Sequence, residues 1–157
     1  MKQGNRKSIS VFLWLILSCV FHIVLFRGKL DMNTPIVQRL FFVILAVVIT
    51  LPLHEIIHCI FMKLFGLMGA RIEIAKDPLG LPSLRAVAQG EVWGWKKIVI
   101  FLAPFMLLTV VPDLLFFLSD KVHFLFFIIA MCNAAGCCFD VAEVARDINK
   151  SRIEGRK

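Results

Sequence analysis

The sequence has few polar and ionisable residues. Its 157 residues include no tyrosine, four histidines and 11 acidic residues, whereas 59% are hydrophobic and the mean hydropathy is +0.84. This composition is typical of a membrane protein and predicts one small integral membrane domain over residues 1–157. The chain is too short for a further soluble domain, because four membrane spans and their connections use nearly all of it.

The cysteines do not form a recognisable disulfide or metal-binding pattern. The sequence has five of them, without a C-x-x-C pair, and all lie in or beside apolar runs. Those in the inner half of the membrane would face a reducing compartment, so disulfides are not expected. We interpret Cys137 and Cys138 as small packing residues rather than as metal ligands or palmitoylation sites.

The basic residues do not cluster on one face, although the net charge is +7. They are spread over the tails and loops, which excludes nucleic acid as an expected partner and favours a lipid bilayer. With the N-terminus in the cytoplasm, 14 of the 18 basic residues fall on the inner side. The sequence therefore predicts a multi-pass protein of the cell membrane with both termini cytoplasmic.

Four apolar runs predict an all-α membrane protein with about four transmembrane helices. The spans are expected at about 9–26, 40–62, 98–118 and 123–140, and residues 141–157 form a charged cytoplasmic tail. No small-x-small cleavage site follows the first run, so we interpret it as a retained span. The polar segment 66–97 alternates at Arg71–Ile74 and breaks at Pro78–Pro82, which predicts a small β-hairpin or polar loop.

The strongest chemical signal is an H-E-x-x-H sequence at His54–His58, inside the second apolar run. On an α-helix, two histidines four residues apart lie on one face and can bind one Zn²⁺, with Glu55 beside the activated water. Three ionisable groups at one level of a membrane helix are costly unless they are paired, metal-bound or next to water. The motif therefore predicts zinc-dependent hydrolysis, and the alternative is a polar contact between helices.

Two histidines are too few for a zinc hydrolase, which normally has three protein ligands and an open position. At 1.5 Å per residue, Asp140 falls in the same inner half of the membrane as His54. The remaining ionisable residues within the spans are interpreted differently. We interpret His22 as an interfacial or packing residue and Asp113 as a capping or interfacial residue on the opposite side of the membrane from the motif.

These features resemble known intramembrane metalloproteases. The motif in a membrane helix, the polar segment with strand-like alternation, and a later span with Asn133 and Asp140 are similar to the site-2 protease class. The chain resembles more closely the small bacterial putative zincin peptidases, over about Leu40 to Ile148. It departs from the site-2 pattern at Gly136 and Val141, where that class has proline and glycine, and its Asp lies one residue closer.

The resemblance implies a role for each residue of the site. His54, His58 and Asp140 would be the zinc ligands, and Glu55 would be the general base. Asn133 would hold the carbonyl of the substrate.

The predicted function is hydrolysis of peptide bonds in membrane-protein or peptide substrates by metal-activated water. The hairpin could bind an unwound substrate by strand addition. Two alternatives are a non-catalytic membrane module and a metal-binding or transport protein. Transport sites usually show polar residues in several spans, and spans one and three have few.

Overall fold

The structure is a computed structural model that describes residues 2–30, 35–76, 82–90, 92 and 94–154. The helices are α1 (Lys2–Phe26), α2 (Ile36–Leu64), α3 (Trp95–Phe105), α4 (Val111–Leu118), α5 (Phe124–Gly136) and α6 (Cys138–Glu154). A π-helical segment, Met106–Val110, joins α3 to α4. Two strands, β1 (Arg71–Lys76) and β2 (Pro82–Val87), lie between α2 and α3. The expected mostly helical fold with a small hairpin is confirmed.

Three helical stretches of the described chain are long and apolar enough to cross a membrane. They are Ile36–Leu64, Trp95–Leu118 and Phe124–Arg146, and the apolar helical stretch Ile16–Phe26 is shorter. A helix needs roughly 20 apolar residues to cross the hydrocarbon core. The three stretches thus indicate a membrane protein.

Helix α5 lies at the centre of the packing and contacts α1, α2, α3, α4, α6 and the π-helical segment. A cluster of buried apolar residues holds it to α1 and α2 near the end where α1 stops and α5 begins: Phe26, Ala46, Val122, Phe127 and Ile128. Ala46 is fully buried, and its small side chain allows α2 to approach α5 closely. At the other end of the contact between α1 and α5, the Trp14 indole donates a hydrogen bond of 2.8 Å to the Ala134 carbonyl.

The hairpin lies against the half of α2 that carries the histidine motif. Its strands are antiparallel, and Ile72 pairs with Ala86. Strand β2 contacts α2, and the Gln89 N–H donates to the Met68 carbonyl at 2.9 Å, which closes the base of the hairpin. Of the predicted Pro/Gly break at Pro78–Pro82, residues 78–81 lie outside the described residues, and Pro82 begins β2. The hairpin therefore packs beside His54–His58, near the C-terminal end of α2.

The structure brings together two residues that the sequence analysis treated separately. His22 of α1 is 2% exposed, and its Nε2 lies 3.2 Å from Asp113 Oδ2 in the first turn of α4. Sequence spacing within each span could not show this contact, because it depends on how α1 and α4 face one another. The pair is therefore a contact between helices, and Asp113 is not simply an interfacial residue.

Candidate metal centre

Two helices bring three possible metal ligands to one point. His54 and His58 lie on one face of α2, and Asp140 lies in the first turn of α6. His54 Nε2 is 3.1 Å from His58 Nε2, and Asp140 Oδ2 is 3.0 Å and 3.6 Å from these two nitrogens. One ligand atom from each residue lies within 4.8 Å of the other two. The three residues that the sequence analysis selected as ligands are thus adjacent in space.

The imidazole of His58 is oriented by a backbone carbonyl of α3. Its Nδ1 lies 2.8 Å from the Ile100 oxygen. In a regular helix that oxygen would accept from the N–H four residues later, but this position is Pro104, which has no N–H. Because a carbonyl can only accept, Nδ1 of His58 must donate the hydrogen. Nε2 of the neutral ring is then an acceptor that faces His54 and Asp140.

The imidazole of His54 is oriented by Asn133 of α5, which is 1% exposed. The Asn133 amide nitrogen donates to the Pro104 carbonyl at 2.9 Å and to Thr109 Oγ1 at 3.0 Å. This places the amide oxygen toward His54, with 2.9 Å between Asn133 Oδ1 and His54 Nδ1. Since Oδ1 can only accept, His54 also carries its hydrogen on Nδ1 and presents a lone pair at Nε2.

The three converging atoms are therefore all hydrogen-bond acceptors. Asp140 Oδ2 is buried and makes no hydrogen bond with the described residues, although both imidazole nitrogens lie close to it. Acceptors that face one another without a shared hydrogen repel, and a cation between them removes the repulsion. Two imidazoles and one carboxylate are a common ligand set for catalytic zinc, which leaves a fourth position open. The residues present fit a zinc ion.

Glu55 does not belong to the ligand group and contacts the hairpin instead. Its Oε2 accepts a hydrogen bond of 2.6 Å from the Ala86 N–H of β2. This bond fixes the carboxylate beside the ligands and shows that the outer edge of β2 faces the site. Helix α2 and the hairpin thus both contribute groups to the same site.

Cys137 lies next to the site, on the side of His54 turned away from the other ligands. Its sulfur is buried and 4.0 Å from His54 Nδ1, whereas Nε2 of that ring faces His58 and Asp140. This position is consistent with a packing residue. Cys138 is buried as well.

Sequence reasoning did not identify several residues that orient the ligands. The Ile100 carbonyl contacts His58 directly. The Pro104 carbonyl and the Thr109 hydroxyl act on His54 through Asn133, because both accept a hydrogen bond from its amide. The free Ile100 carbonyl could have been inferred from the sequence, because a proline in a helix leaves the carbonyl four residues earlier without its helical partner, and Pro104 lies four residues after Ile100. The residue that uses that carbonyl could be found only from the packing of α2 against α3.

The comparisons with known proteins point to one family. The family model described as "Putative zincin peptidase" matches residues 47–150, a range that includes all five predicted site residues. Searches of curated proteins and of solved structures gave no significant match.

Proposed function

Because the chain belongs to the family described as "Putative zincin peptidase", we propose that it is a membrane-embedded zinc metalloprotease. The observation that supports this proposal best is the convergence of one acceptor atom each from His54, His58 and Asp140, with Asp140 Oδ2 buried and without a hydrogen-bond partner among the described residues. The lone pairs of these atoms repel one another, and a cation between them removes that repulsion. The family description suggests a metallopeptidase and zinc, and the membrane location rests on the three apolar helices.

In the proposed mechanism, Glu55 moves the proton. A bound Zn²⁺ would polarise the scissile carbonyl and activate water for attack. Glu55 lies beside the ligands on the same helix and accepts the proton of the attacking water. It then returns this proton to the leaving amine. His54, His58 and Asp140 would hold the ion, and their side chains are only 6–14% exposed, which limits the access of competing solvent.

Asn133 acts in this proposal as a positioning residue. Both hydrogens of its amide group are used, one by Pro104 and one by Thr109, so neither points to a substrate carbonyl. The carbonyl-holding role implied by the resemblance would require one of these bonds to break. We therefore assign to Asn133 the orientation of His54.

The proposed substrates are extended segments of membrane proteins or membrane-bound peptides. In an antiparallel pair, alternate N–H groups point away from the partner strand. The Ala86 N–H points to Glu55, so Leu84 presents its backbone groups on the same outer edge of β2. An unwound substrate could pair with this edge and place its peptide bond near the ligands. Unwinding is needed because helical carbonyls are already hydrogen-bonded.

The same proposal includes an orientation in the cell membrane. Both termini and the hairpin would lie on the cytoplasmic side, which is the side rich in lysine and arginine. The metal centre would then lie in the inner half of the membrane. Substrates would reach it from the cytoplasmic side or from within the bilayer.

A cleavage assay on the zinc-loaded protein in detergent tests the proposed function. The substrate is a single-span model protein with helix-breaking residues near the inner end of its span, and mass spectrometry identifies the products. The wild type should cleave it, whereas Glu55→Gln should keep its zinc and lose about 10²- to 10⁴-fold in rate. Equal cleavage by both proteins would contradict the proposal. If the wild type binds zinc but cleaves none of several such substrates, a metal-binding or transport protein becomes the better account.

A further inference from the structure

Between residues 83 and 86, strand β2 has one apolar face and one polar face. Side chains alternate between the two faces of a strand, and directly opposite residues of an antiparallel pair share a face. Leu84 and Ala86 therefore lie on one face, together with Ile72, which is opposite Ala86. Ser83 and Arg85 lie on the other face. A ligand that follows β2 would thus meet apolar side chains on one side and a hydroxyl and a guanidinium on the other.

The guanidinium of Arg85 is exposed and makes no hydrogen bond or ion pair with the described residues. Its neighbour in the ladder is Glu73, and opposite charges at such positions usually attract each other. The Glu73 carboxylate is held by Arg71 instead, whose Nε donates to Oε1 at 2.8 Å. These three side chains carry two positive charges and one negative charge. This face of the hairpin therefore keeps one positive charge for a ligand.

Arg85 also lies next to the backbone groups that a substrate strand would use. The Ala86 N–H donates to Glu55 at the outer edge of β2, and Leu84 presents its N–H and carbonyl on the same edge. A strand paired at Leu84 would place its next residue opposite Arg85, with about 4.5–5.5 Å between the Cβ atoms. That residue is only about 3.4 Å along the strand from the level of Glu55. The side chain that meets Arg85 would therefore belong to a residue close to the cut bond.

The charge and the backbone groups together indicate a peptide carboxylate. A lipid phosphate could neutralise Arg85, but it has no N–H to donate to the Leu84 carbonyl, whereas a peptide strand pairs with both backbone groups. A lysine or arginine of the substrate at this position would face a like charge, which destabilises a cross-strand pair. Since the cytoplasmic flanks of membrane spans are rich in these two residues, Arg85 would disfavour the commonest flanking sequences.

We propose that β2 selects extended segments of membrane proteins that carry an aspartate or glutamate opposite Arg85 and apolar side chains on the face of Leu84. The acidic residue lies at the inner end of the span, within about one or two residues of the bond that is cut. This inference rests on the proposed function, because it names the substrates of that site.

Binding of labelled peptides tests this selection without requiring cleavage. The full-length protein carries Glu55→Gln, which would prevent turnover but keeps an oxygen that can accept from the Ala86 N–H. The probe is a fluorescent peptide of about ten residues in which leucine alternates with glutamine, and fluorescence anisotropy in detergent gives its dissociation constant.

The expected result is an order of affinity that depends on charge and on position. Glutamate in place of one central glutamine should tighten binding about two- to fivefold, and lysine there should weaken it by a similar factor, as for exposed cross-strand charge pairs. Glutamate in place of a central leucine should weaken binding, because this residue would face Leu84. Equal binding of the glutamate, glutamine and lysine peptides would overturn the inference.

A charge reversal and a matched control assign the effect to Arg85. Arg85→Glu should reverse the order, so that the lysine peptide binds most tightly and the glutamate peptide least tightly. Lys96→Glu makes the same change of charge at an exposed residue of α3 and should keep the original order. Each order is measured within one protein, so a partial loss of folded protein does not change it. An order that Arg85→Glu leaves unchanged, or that Lys96→Glu also reverses, would overturn the inference.

The cleavage assay separates failure of this inference from failure of the proposed function. If the peptides bind in the expected order but the zinc-loaded wild type cleaves none of the model substrates, the selection of acidic strands is supported and the peptidase activity is contradicted. If the wild type cleaves substrates with glutamate, glutamine or lysine at this position equally fast, the activity stands and the selection is overturned.

Discussion

His54 and Asn133 are joined across two helices by a contact of 2.9 Å between Nδ1 and Oδ1. The Asn133 amide cannot turn over, because its nitrogen donates to the Pro104 carbonyl. The histidine therefore has one tautomer only, with a lone pair at Nε2. A single buried amide thus orients one of the two imidazoles of the proposed metal site.

Replacing this amide should weaken metal binding without removing a ligand. Asn133→Leu keeps a similar volume but leaves Nδ1 of His54 without its acceptor. We expect zinc affinity to fall by about 10- to 100-fold, which is typical for the partner of a metal-bound histidine. Competition with a chelating dye measures the affinity. Thr109→Val is the matched control, since it keeps the bond to His54 and should change the affinity less. Unchanged affinity in Asn133→Leu would show that Asn133 does not position His54.

Pro104 should matter because it has no N–H. Pro104→Ala supplies an N–H that would bond to the Ile100 carbonyl and compete with His58 Nδ1. We expect weaker zinc binding together with unchanged or higher thermal stability, because alanine favours a helix interior far more than proline does.

The control for that change is Pro112→Ala, at the first turn of α4. It makes the same chemical replacement in the same span, away from the ligands. Zinc affinity should stay at the wild-type value. A similar loss of zinc in both variants would mean that the prolines act through the general shape of the span.

The bond between the Ala86 N–H and Glu55 should contribute to cleavage but not to zinc binding. Ala86→Pro removes this N–H, which points away from β1, so the ladder of the hairpin stays intact. A hydrogen bond to a charged group contributes about 1.5–3 kcal/mol, so we expect cleavage to slow by roughly 10- to 100-fold with normal zinc content.

Ile74→Pro provides the matched control for the hairpin. Ile74 pairs with Leu84, two positions from the pair of Ile72 and Ala86, so its N–H points to the outer edge of β1. Cleavage by this variant should resemble that of the wild type. Equal slowing in both variants would indicate a general effect on the hairpin and no specific role for the Ala86 N–H.

The contact between His22 and Asp113 should stabilise the packing of α1. Asp113→Leu leaves His22 buried without its partner, and breaking a buried pair in this way costs about 3–5 kcal/mol. The melting temperature in detergent should therefore fall. The double variant His22→Leu/Asp113→Leu should recover most of this loss, and a double variant as unstable as the single one would contradict a paired role.

The local features of this protein could be predicted from its sequence. Long apolar runs and the alternation at Arg71–Ile74 indicated the helices and the hairpin, because these patterns reflect burial along one segment. The motif placed two histidines on one helix face, and the depth of Asp140 placed it at the same level. The structure brings these three residues together, while their role as zinc ligands stays a prediction.

The contacts between helices could not be predicted in the same way. The bonds from Asn133 to His54 and from His58 to Ile100 depend on the rotation of α3 and α5 about their own axes. In an apolar bundle, hydrophobic periodicity hardly fixes that rotation, because lipid-facing and buried faces are equally apolar. The pair of His22 and Asp113 was missed for the same reason.

Zinc content is the most direct measurement of the central claim. The purified protein and its variants His54→Ala, His58→Ala and Asp140→Ala are compared by mass spectrometry of the metal, with Glu55→Gln as the control outside the ligand group. We predict about one zinc per chain in the wild type and in the control, and loss of zinc in the three ligand variants. Zinc retained after Asp140→Ala would contradict the proposed third ligand. No zinc in the wild type, even after zinc is added, would contradict the metal centre itself.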